Sequence, residues 1–529
     1  MADAARAARV AGPAGEAAPF PPVRVSGPVL RPGDEQFAGE VGGFQAGYRH
    51  RPDLIVCTTD AADVSAAVRH AAGHGLPLAV QATGHGLSLP LPGGVLISTR
   101  RMSEVRVDPG ARTAWIGAGV RWGRVVEQAA RYGLAPLSGS GPGVGAVSYT
   151  LNGGVGLLAR EFGYAADDVR AAELVTADGR VRHVTADGEP ELFWALRGGG
   201  GGFGVVTGLE IGLVPVERFY GGQLVFDGAG GAAGEVLEAW REWTATVPER
   251  LTSSVTVMRR PDLPALPERL RGRYTAQVQI AFDGTEEEGA RLVAPLRSAG
   301  PRISETLRTM PYTECASVYS EPDRPHPYQG GNVLLGERLP DRAALRSVLE
   351  LTGPRAPAMT VLNLRHMGGA LSREPVVPDA VGGRDAGWLM VVLSVPEDGD
   401  EGGDDGRDEG EDDGGDGAVS EGRSGGDAEG DGTGPAGQDR LRMHQERVFD
   451  AVAPWTVGSN LNFRYGRSAG TEPGAARGTY PPGDLRRLAE LKSSVDPLNL
   501  FRFQPGRFQP GRFQPGRLQP GRPYGAERP

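Results

Sequence analysis

The sequence predicts an α+β protein with two folded units, and three observations carry that prediction. A β-α-β pattern opens the ordered part, many short strands with Gly-rich turns follow it, and longer strands alternating with helices come after about residue 218. In the opening pattern, Pro52-Asp53-Leu54-Ile55-Val56-Cys57 has the apolar run of a buried strand. Thr59-Asp60 can cap a helix in which Val64, Ala67, Val68 and Ala71 recur at helical spacing, and Gly73 and Gly75 stop it. Leu76 to Val80 then forms the next strand and runs directly into a loop at His85.

From about 94 to 216 the strands are short: Val95-Leu96-Ile97, Thr113 to Ile116, Ala172 to Val175 and Val205 to Thr207. An amphipathic helix from Trp122 to Tyr132 lies among them and ends at Gly133. From about 218 to 395, Leu224-Val225-Phe226, Ser254 to Met258, Ala276 to Phe282 and Trp388 to Ser394 have strand patterns. Helices are expected around 234–246, 285–297 and 341–352, which gives a sheet covered by helices.

Both ends and one internal stretch are expected to lack a fold. Residues 1–40 are rich in Ala, Gly and Pro without periodicity and are expected to form a disordered arm. Residues 396–438 are Gly, Asp and Glu with almost no aromatic or β-branched residue, too little apolar surface to offset chain entropy. This acidic insertion separates a strand at 388–394 from a helix at about 439–452. Within it, 397–431 holds 16 Asp and Glu against 2 Arg, which accounts for the formal charge of −10 and leaves the rest slightly positive. Arg-Phe-Gln-Pro-Gly repeats from Arg502, Arg507 and Arg512, with Arg-Leu-Gln-Pro-Gly from Arg517, make turns rather than a core, so 503–529 is expected to be a disordered tail.

Composition excludes several classes. Two cysteines, Cys57 and Cys315, cannot build a disulfide framework or a Cys-rich metal site. His70 and His74 share a helix face without a carboxylate partner, so no metal is expected. No stretch approaches eighteen apolar residues, no secretory leader is apparent, and the expectation is a cytoplasmic protein with neither membrane nor nucleic acid as partner.

Three Gly-rich segments in the first half carry the chemistry. The first is Gln81-Ala82-Thr83-Gly84-His85-Gly86, a turn after a strand where bare backbone can approach a diphosphate; a turn with a surface histidine is the alternative on this loop alone. The second runs from Leu137 through Gly139-Ser140-Gly141-Pro142-Gly143-Val144-Gly145 to Tyr149 and Asn152-Gly153-Gly154-Val155-Gly156. Pro142 and the second glycine cluster set it apart from a dinucleotide fingerprint, and two close backbone approaches suit a large flat ligand. The third is Gly198 to Gly202 followed by Phe203-Gly204-Val205-Val206-Thr207, five glycines held between a Trp-containing segment and a strand. Ser140 lacks the flanking residues of a nucleophile elbow, which argues against a serine hydrolase.

Together these segments resemble the berberine-bridge-like FAD-linked oxidases, within the vanillyl-alcohol-oxidase (PCMH-type FAD-binding) superfamily. The resemblance covers 45–216, 361–394 and 439–502. It includes Arg365-His366-Met367-Gly368-Gly369-Ala370, Arg384-Asp385-Ala386, Asn462-Phe463, Leu488 to Lys492 and Asp496-Pro497-Leu498-Asn499-Leu500-Phe501-Arg502. It implies a two-part FAD-binding domain at 41–217 and an α+β substrate domain at 218–455 whose antiparallel sheet is covered by helices. It also implies a segment at 456–502 that returns to the FAD domain.

Carried over residue by residue, the resemblance makes His85 the position that bonds the flavin 8α-methyl. The expected cofactor-binding set is Thr83, Gly84, His85, Gly86, Gly139, Ser140, Gly141, Val144, Gly145, Tyr149, Gly153, Gly154, Gly201, Phe203, Gly204, Val205, Val206 and Asn462. Many members bear a second tether, a cysteine, where this chain has Gly141, so double attachment is excluded. Gln81-Ala82-Thr83 and Gly86 also depart from the usual loop, which leaves single attachment and non-covalent binding open, single attachment being expected. Asn460 stands at the usual catalytic tyrosine, so the base is sought at Tyr328 or His366.

The implied activity is hydride transfer from an alcohol-bearing natural product or sugar to flavin N5, with O2 reduced to H2O2 and Val144 beside the ring tuning its access. A dehydrogenase of the same fold using another acceptor, and a flavin-binding protein with degenerate catalysis, are the alternatives.

Overall fold

The computed structural model describes residues 22–87, 90–396, 435–465 and 478–503, so 397–434 and the repeats beyond 503 lie outside the described residues. Three sheets organise them. The first has strands β1 (Val29–Leu30), β2 (Leu54–Cys57), β3 (Leu78–Gln81) and β4 (Val95–Ser98) in the order β1-β2-β4-β3. Helix α1 (Phe37–Val41) precedes β2, and α2 (Ala61–Gly73) crosses over so that β2 and β3 both pair parallel with β4. All four residues of β2 and of β4 are buried, which explains their unbroken apolar runs. Asp60 caps α2 by accepting from the Asp63 amide at 2.9 Å.

The arm expected at 1–40 is ordered from residue 22. Val29 and Leu30 pair antiparallel with β2, and Ser26 donates its backbone N–H to the Asp63 carboxylate at 2.7 Å. Glu40 is buried against Ser98 and pairs with Arg101 at 3.1 Å. Besides the backbone ladder and the carboxylates, Leu30 and Val41 anchor it in the core, but they lie too far apart for hydrophobic periodicity to reveal the stretch.

The second sheet has β5 (Val105–Asp108), β6 (Thr113–Gly117), β7 (Val169–Val175), β8 (Val181–Thr185) and β9 (Val205–Gly212), all antiparallel, in the order β5-β6-β9-β7-β8. Helices α3 (Trp122–Ala130), α4 (Ala146–Leu151), α5 (Ala159–Phe162) and α6 (Pro190–Gly199) accompany it. Its core joins Trp122, Val125, Leu174, Phe193, Phe203 and Leu209.

The third sheet is antiparallel and larger: β10 (Arg218–Asp227), β11 (Leu251–Arg259), β12 (Tyr274–Phe282), β13 (Arg302–Glu305), β14 (Arg308–Pro311), β15 (Gln329–Leu335), β16 (Met359–His366), β17 (Trp388–Val395) and β18 (Thr456–Gly458). The order is β13-β10-β12-β11-β16-β17-β15-β18, with β14 also on β10. One face buries Leu224, Val255, Val278, Leu362 and Met390 against α7 (Ala232–Thr244), α8 (Glu286–Val293), α9 (Arg342–Leu351) and α10 (Pro435–Asp450). Because side chains alternate along a strand, the other face carries Gln223, Ser254, Thr256, Gln277, Gln279 and Asn363, all buried. At one end of that face Phe219 and Ala281 join the core of the second sheet, which docks the two units.

The start of α10 at Pro435 corrects the expected insertion boundary of 438, since proline fits the first turn of a helix. Helix α11 (Pro482–Val495) packs Leu488 beside α6, while Leu500 and Phe501 enter the core of the first sheet.

Candidate cofactor site

Strand β3 delivers the first glycine loop. Gly84 has φ +72°, and a Cβ there would come within 2.6 Å of Gly43 Cα, so only glycine allows the loop to close on the segment before β2. Phe44 donates its N–H to Thr83 at 3.0 Å and Gln45 donates to Gly84 at 3.1 Å. The Gln81 amide donates to the Val41 carbonyl at 3.0 Å, and Arg100 Nε donates to Ala82 at 3.0 Å. Gln81 therefore anchors the residues ahead of β2.

His85 projects from that frame. Its ring stacks on Phe44 with centroids 3.9 Å apart and planes 6° apart, and Nδ1 lies 3.0 Å from Thr83 Oγ1. Tyr328 donates its hydroxyl to the His85 carbonyl. Burial, with Arg121 and His326 adding positive charge, lowers the His85 pKa to about 4, so the imidazole is neutral at physiological pH.

The second glycine loop comes to meet it. Trp122 donates its N–H to Val144 at 3.0 Å and Gly123 donates to Pro142 at 2.9 Å, which lays the turn at 141–144 against the start of α3. A Cβ on Gly143 would sit 3.6 Å from His85 Cε1, 3.7 Å from Nε2 and 3.6 Å from Arg121 Nη1. Gly145 caps α4, and its Cβ position is 3.5 Å from Thr83 Oγ1. The two loops thus converge on one neutral imidazole whose Nε2 has no hydrogen-bond partner among the described residues. Trp122 Nε1 and the Tyr149 hydroxyl are also buried without a partner, edge to face at 5.5 Å. A flat, partly polar group fits this cradle, and an FAD isoalloxazine has that chemistry.

A family model described as an FAD binding domain matches residues 52–185. Over 57% of this chain and 64% of the relative's length, the chain is 32% identical to (R)-6-hydroxynicotine oxidase of Paenarthrobacter nicotinovorans. A BBE-like protein of Physcomitrella patens superposes with a TM-score of 0.72, covering 92% of this chain and 97% of that one at 15% identity. The chain therefore carries an FAD binding domain and is similar to FAD-linked oxidoreductases. A chitooligosaccharide oxidase superposes on this chain with a TM-score of 0.72, at 21% identity over 92% of it and 97% of that chain. At 15% and 21% identity these two likenesses are of fold.

Several glycines and apolar residues expected to touch the cofactor have a packing reason in this chain. The Tyr149 ring lies between Gly139 and Gly154, whose Cβ positions would be 3.0 and 2.6 Å from it. Gly153 (φ +104°) joins the same turn. Phe203, Val205 and Val206 are buried core side chains, so only their backbone is available to a ligand. Gly204 is pressed against Val175, where a Cβ would come 2.8 Å from its carbonyl. Lys492 of α11 donates to the Gly202 carbonyl at 2.6 Å, next to Gly201, which pins the five-glycine run. Asn462 donates to the Tyr149 carbonyl and accepts from the Gly154 N–H, both at 2.9 Å, fastening the C-terminal segment to this loop. Val144 is half-buried against the second core, and Gly86 is exposed beside His85.

The two bases expected from sequence part company. Tyr328 is in the site, but its proton is committed to the His85 carbonyl and burial pushes its phenol well above the usual value. His366 is not in the site. It stacks on Trp388 at 5.0 Å, toward the helix-covered core, while its neighbour Arg365 points the other way over Phe463 and Tyr319. Pleat alternation separates the two, and burial lowers the His366 pKa to about 3. Asn460 is structural: its amide and carbonyl both bond the Asn332 side chain, and its own side chain accepts from Asn462. Phe44, Arg121, Glu321 and Tyr465 border the loops without lying in any glycine motif, so spacing gave no signal for them.

Proposed function

We propose that this protein is an FAD-dependent oxidase, holding FAD singly through His85 and oxidising an alcohol-bearing substrate of sugar or natural-product type. The convergence of Thr83–His85 and Gly141–Gly145 on one neutral imidazole carries this reading. When bound, FAD supplies the two-electron acceptor that takes hydride from a carbon and passes the electrons to O2 as H2O2. Thr83 holds Nδ1 and Phe44 fixes the ring plane, so Nε2 is left as the nucleophilic nitrogen toward the cofactor. Gly141, bare of any thiol, leaves His85 as the single tether.

The substrate side is supported by the polar face of the third sheet. Ser254 bonds Tyr319 at 2.7 Å, and Tyr319 and Arg365 both act electrostatically on Tyr149, so that face borders the second glycine loop. Gln223 keeps a buried, unpartnered amide oxygen there, and Gln277, Gln279 and Asn363 add amides that match hydroxyl groups. The oxidase names among the relatives support the same acceptor. Cys57 and Cys315 are buried and unpaired, which suits the reducing setting of a cytoplasmic protein.

The test is anaerobic mixing of the holoprotein with a panel of oligosaccharides and benzylic alcohols. Bleaching of the flavin, its rapid return in air and one H2O2 per carbonyl formed are expected. Bleaching with no return in air contradicts the oxidase assignment, and absence of bleaching across the panel contradicts the substrate class.

A further inference from the structure

Ser140 and Glu321 meet across the two units. Ser140 Oγ donates to Glu321 Oε1 at 2.5 Å, and Glu321 Oε2 lies 3.0 Å from where a side chain at Gly141 would begin. Glu321 follows the short helix Tyr312–Val318, so the substrate unit lays a carboxylate directly on the second glycine loop. Tyr149 reaches it from α4, Tyr328 from the residue before β15, and Tyr465 from the C-terminal segment. Burial raises all three phenols, and the Glu321 charge raises each further. Tyr328 and Tyr465 touch edge to face at 5.4 Å. Arg365 on β16 is the opposing cation for Tyr149 and Tyr465, and Tyr319 faces the same group from its own segment.

Resting on the oxidase assignment above, we infer that Glu321 is the general base, with Ser140 holding one carboxylate oxygen and the other taking the substrate's O–H proton. The competing groups are spent. Tyr328 donates to the His85 carbonyl, Tyr149 and Tyr465 stay protonated, Asn460 is an amide, and His366 faces the other side of the sheet. Glu321 itself is exposed, so it can return a proton to solvent. In the step, the alcohol O–H bond breaks toward Glu321 Oε2 and the C–H bond breaks with both electrons leaving as hydride for the oxidised flavin. The C–O bond becomes a carbonyl. Glu321 then releases its proton, and O2 receives the two electrons and two protons as H2O2.

The experiment compares wild type with Glu321→Gln, which keeps the shape and can still accept from Ser140. Flavin content is read at equal protein concentration, the flavin midpoint potential by dye equilibration, and the rate of anaerobic bleaching against pH with a substrate found in the panel. Full flavin content is expected in the variant. Its potential is expected to be more positive, because a negative charge near the flavin is gone, and bleaching slower by about 10²–10⁴-fold, the usual worth of a positioned base. The pH profile of bleaching should differ between wild type and variant. An unshifted potential, or a variant that bleaches at the wild-type rate and pH profile, overturns the inference alone. Wild-type flavin that bleaches but does not return in air overturns the oxidase assignment, and absence of bleaching across the whole panel overturns the substrate class and this inference with it.

Discussion

Lys492 places its ammonium 2.6 Å from the Asp496 carboxylate, one helical turn away, with the two side chains 3% and 0% exposed. Asp496 also accepts from the N–H groups of Leu500 at 2.7 Å and Phe501 at 2.9 Å, while Lys492 reaches the Gly202 carbonyl. One buried pair therefore ties the end of α11, the return of the chain to the first sheet and the five-glycine run.

Lys492→Met should leave the Asp496 carboxylate buried without its partner. Breaking a buried pair from one side costs about 3–5 kcal/mol. The midpoint of urea unfolding should fall accordingly, and flavin retention with it; an unchanged midpoint contradicts this role.

Phe44→Ala should loosen His85 without removing the imidazole. A stacked aromatic pair is worth about 0.5–1.5 kcal/mol beyond its area, so a small loss of stability is expected. The fraction of covalently bound flavin should drop further than stability does, measured as acid-insoluble absorbance per protein.

Asn462→Ala should strand the Tyr149 carbonyl and the Gly154 N–H. Each buried group left unsatisfied costs about 1–3 kcal/mol. Lower thermal stability and weaker flavin retention are expected together, and Asn462→Asp should restore only the half of the clamp that accepts from Gly154.

His50 accepts the Leu91 N–H at 2.9 Å, and burial lowers its pKa to about 4. A histidine whose folded pKa lies below its unfolded value of about 6.5 gives stability that is full above pH 6.5 and is lost as pH falls toward 4. His85 and His366, lowered by burial to about 4 and about 3, act with the same sign. Tm should fall between pH 7 and 4, and His50→Asn should flatten that slope by at most about 3 kcal/mol. An identical pH slope in the variant contradicts the assignment.

Much of the fold was legible. The apolar runs at 54–57 and 95–98, the helical spacing after Asp60 and the third-sheet strands around 224–226, 254–258, 276–282 and 388–394 form where the patterns put them. Residues 22–40 were not legible, because backbone pairing, Asp63 and the core anchor Leu30 hold them without side-chain periodicity. In the site, glycine spacing found the two loops that meet at His85. It could not separate glycines that make room for a ligand from those, such as Gly139 and Gly154, that make room for Tyr149. It was blind to Phe44 and Glu321, whose approach depends on tertiary packing. His366 was misplaced because a motif gives position along a strand, and the face depends on register.

The tether at His85 is the centre of this account, and acid precipitation tests it most directly. Wild-type protein denatured in trichloroacetic acid should give a yellow pellet and a colourless supernatant, and His85→Ala should release its FAD to the supernatant. A colourless wild-type pellet with free FAD in solution would contradict the tether.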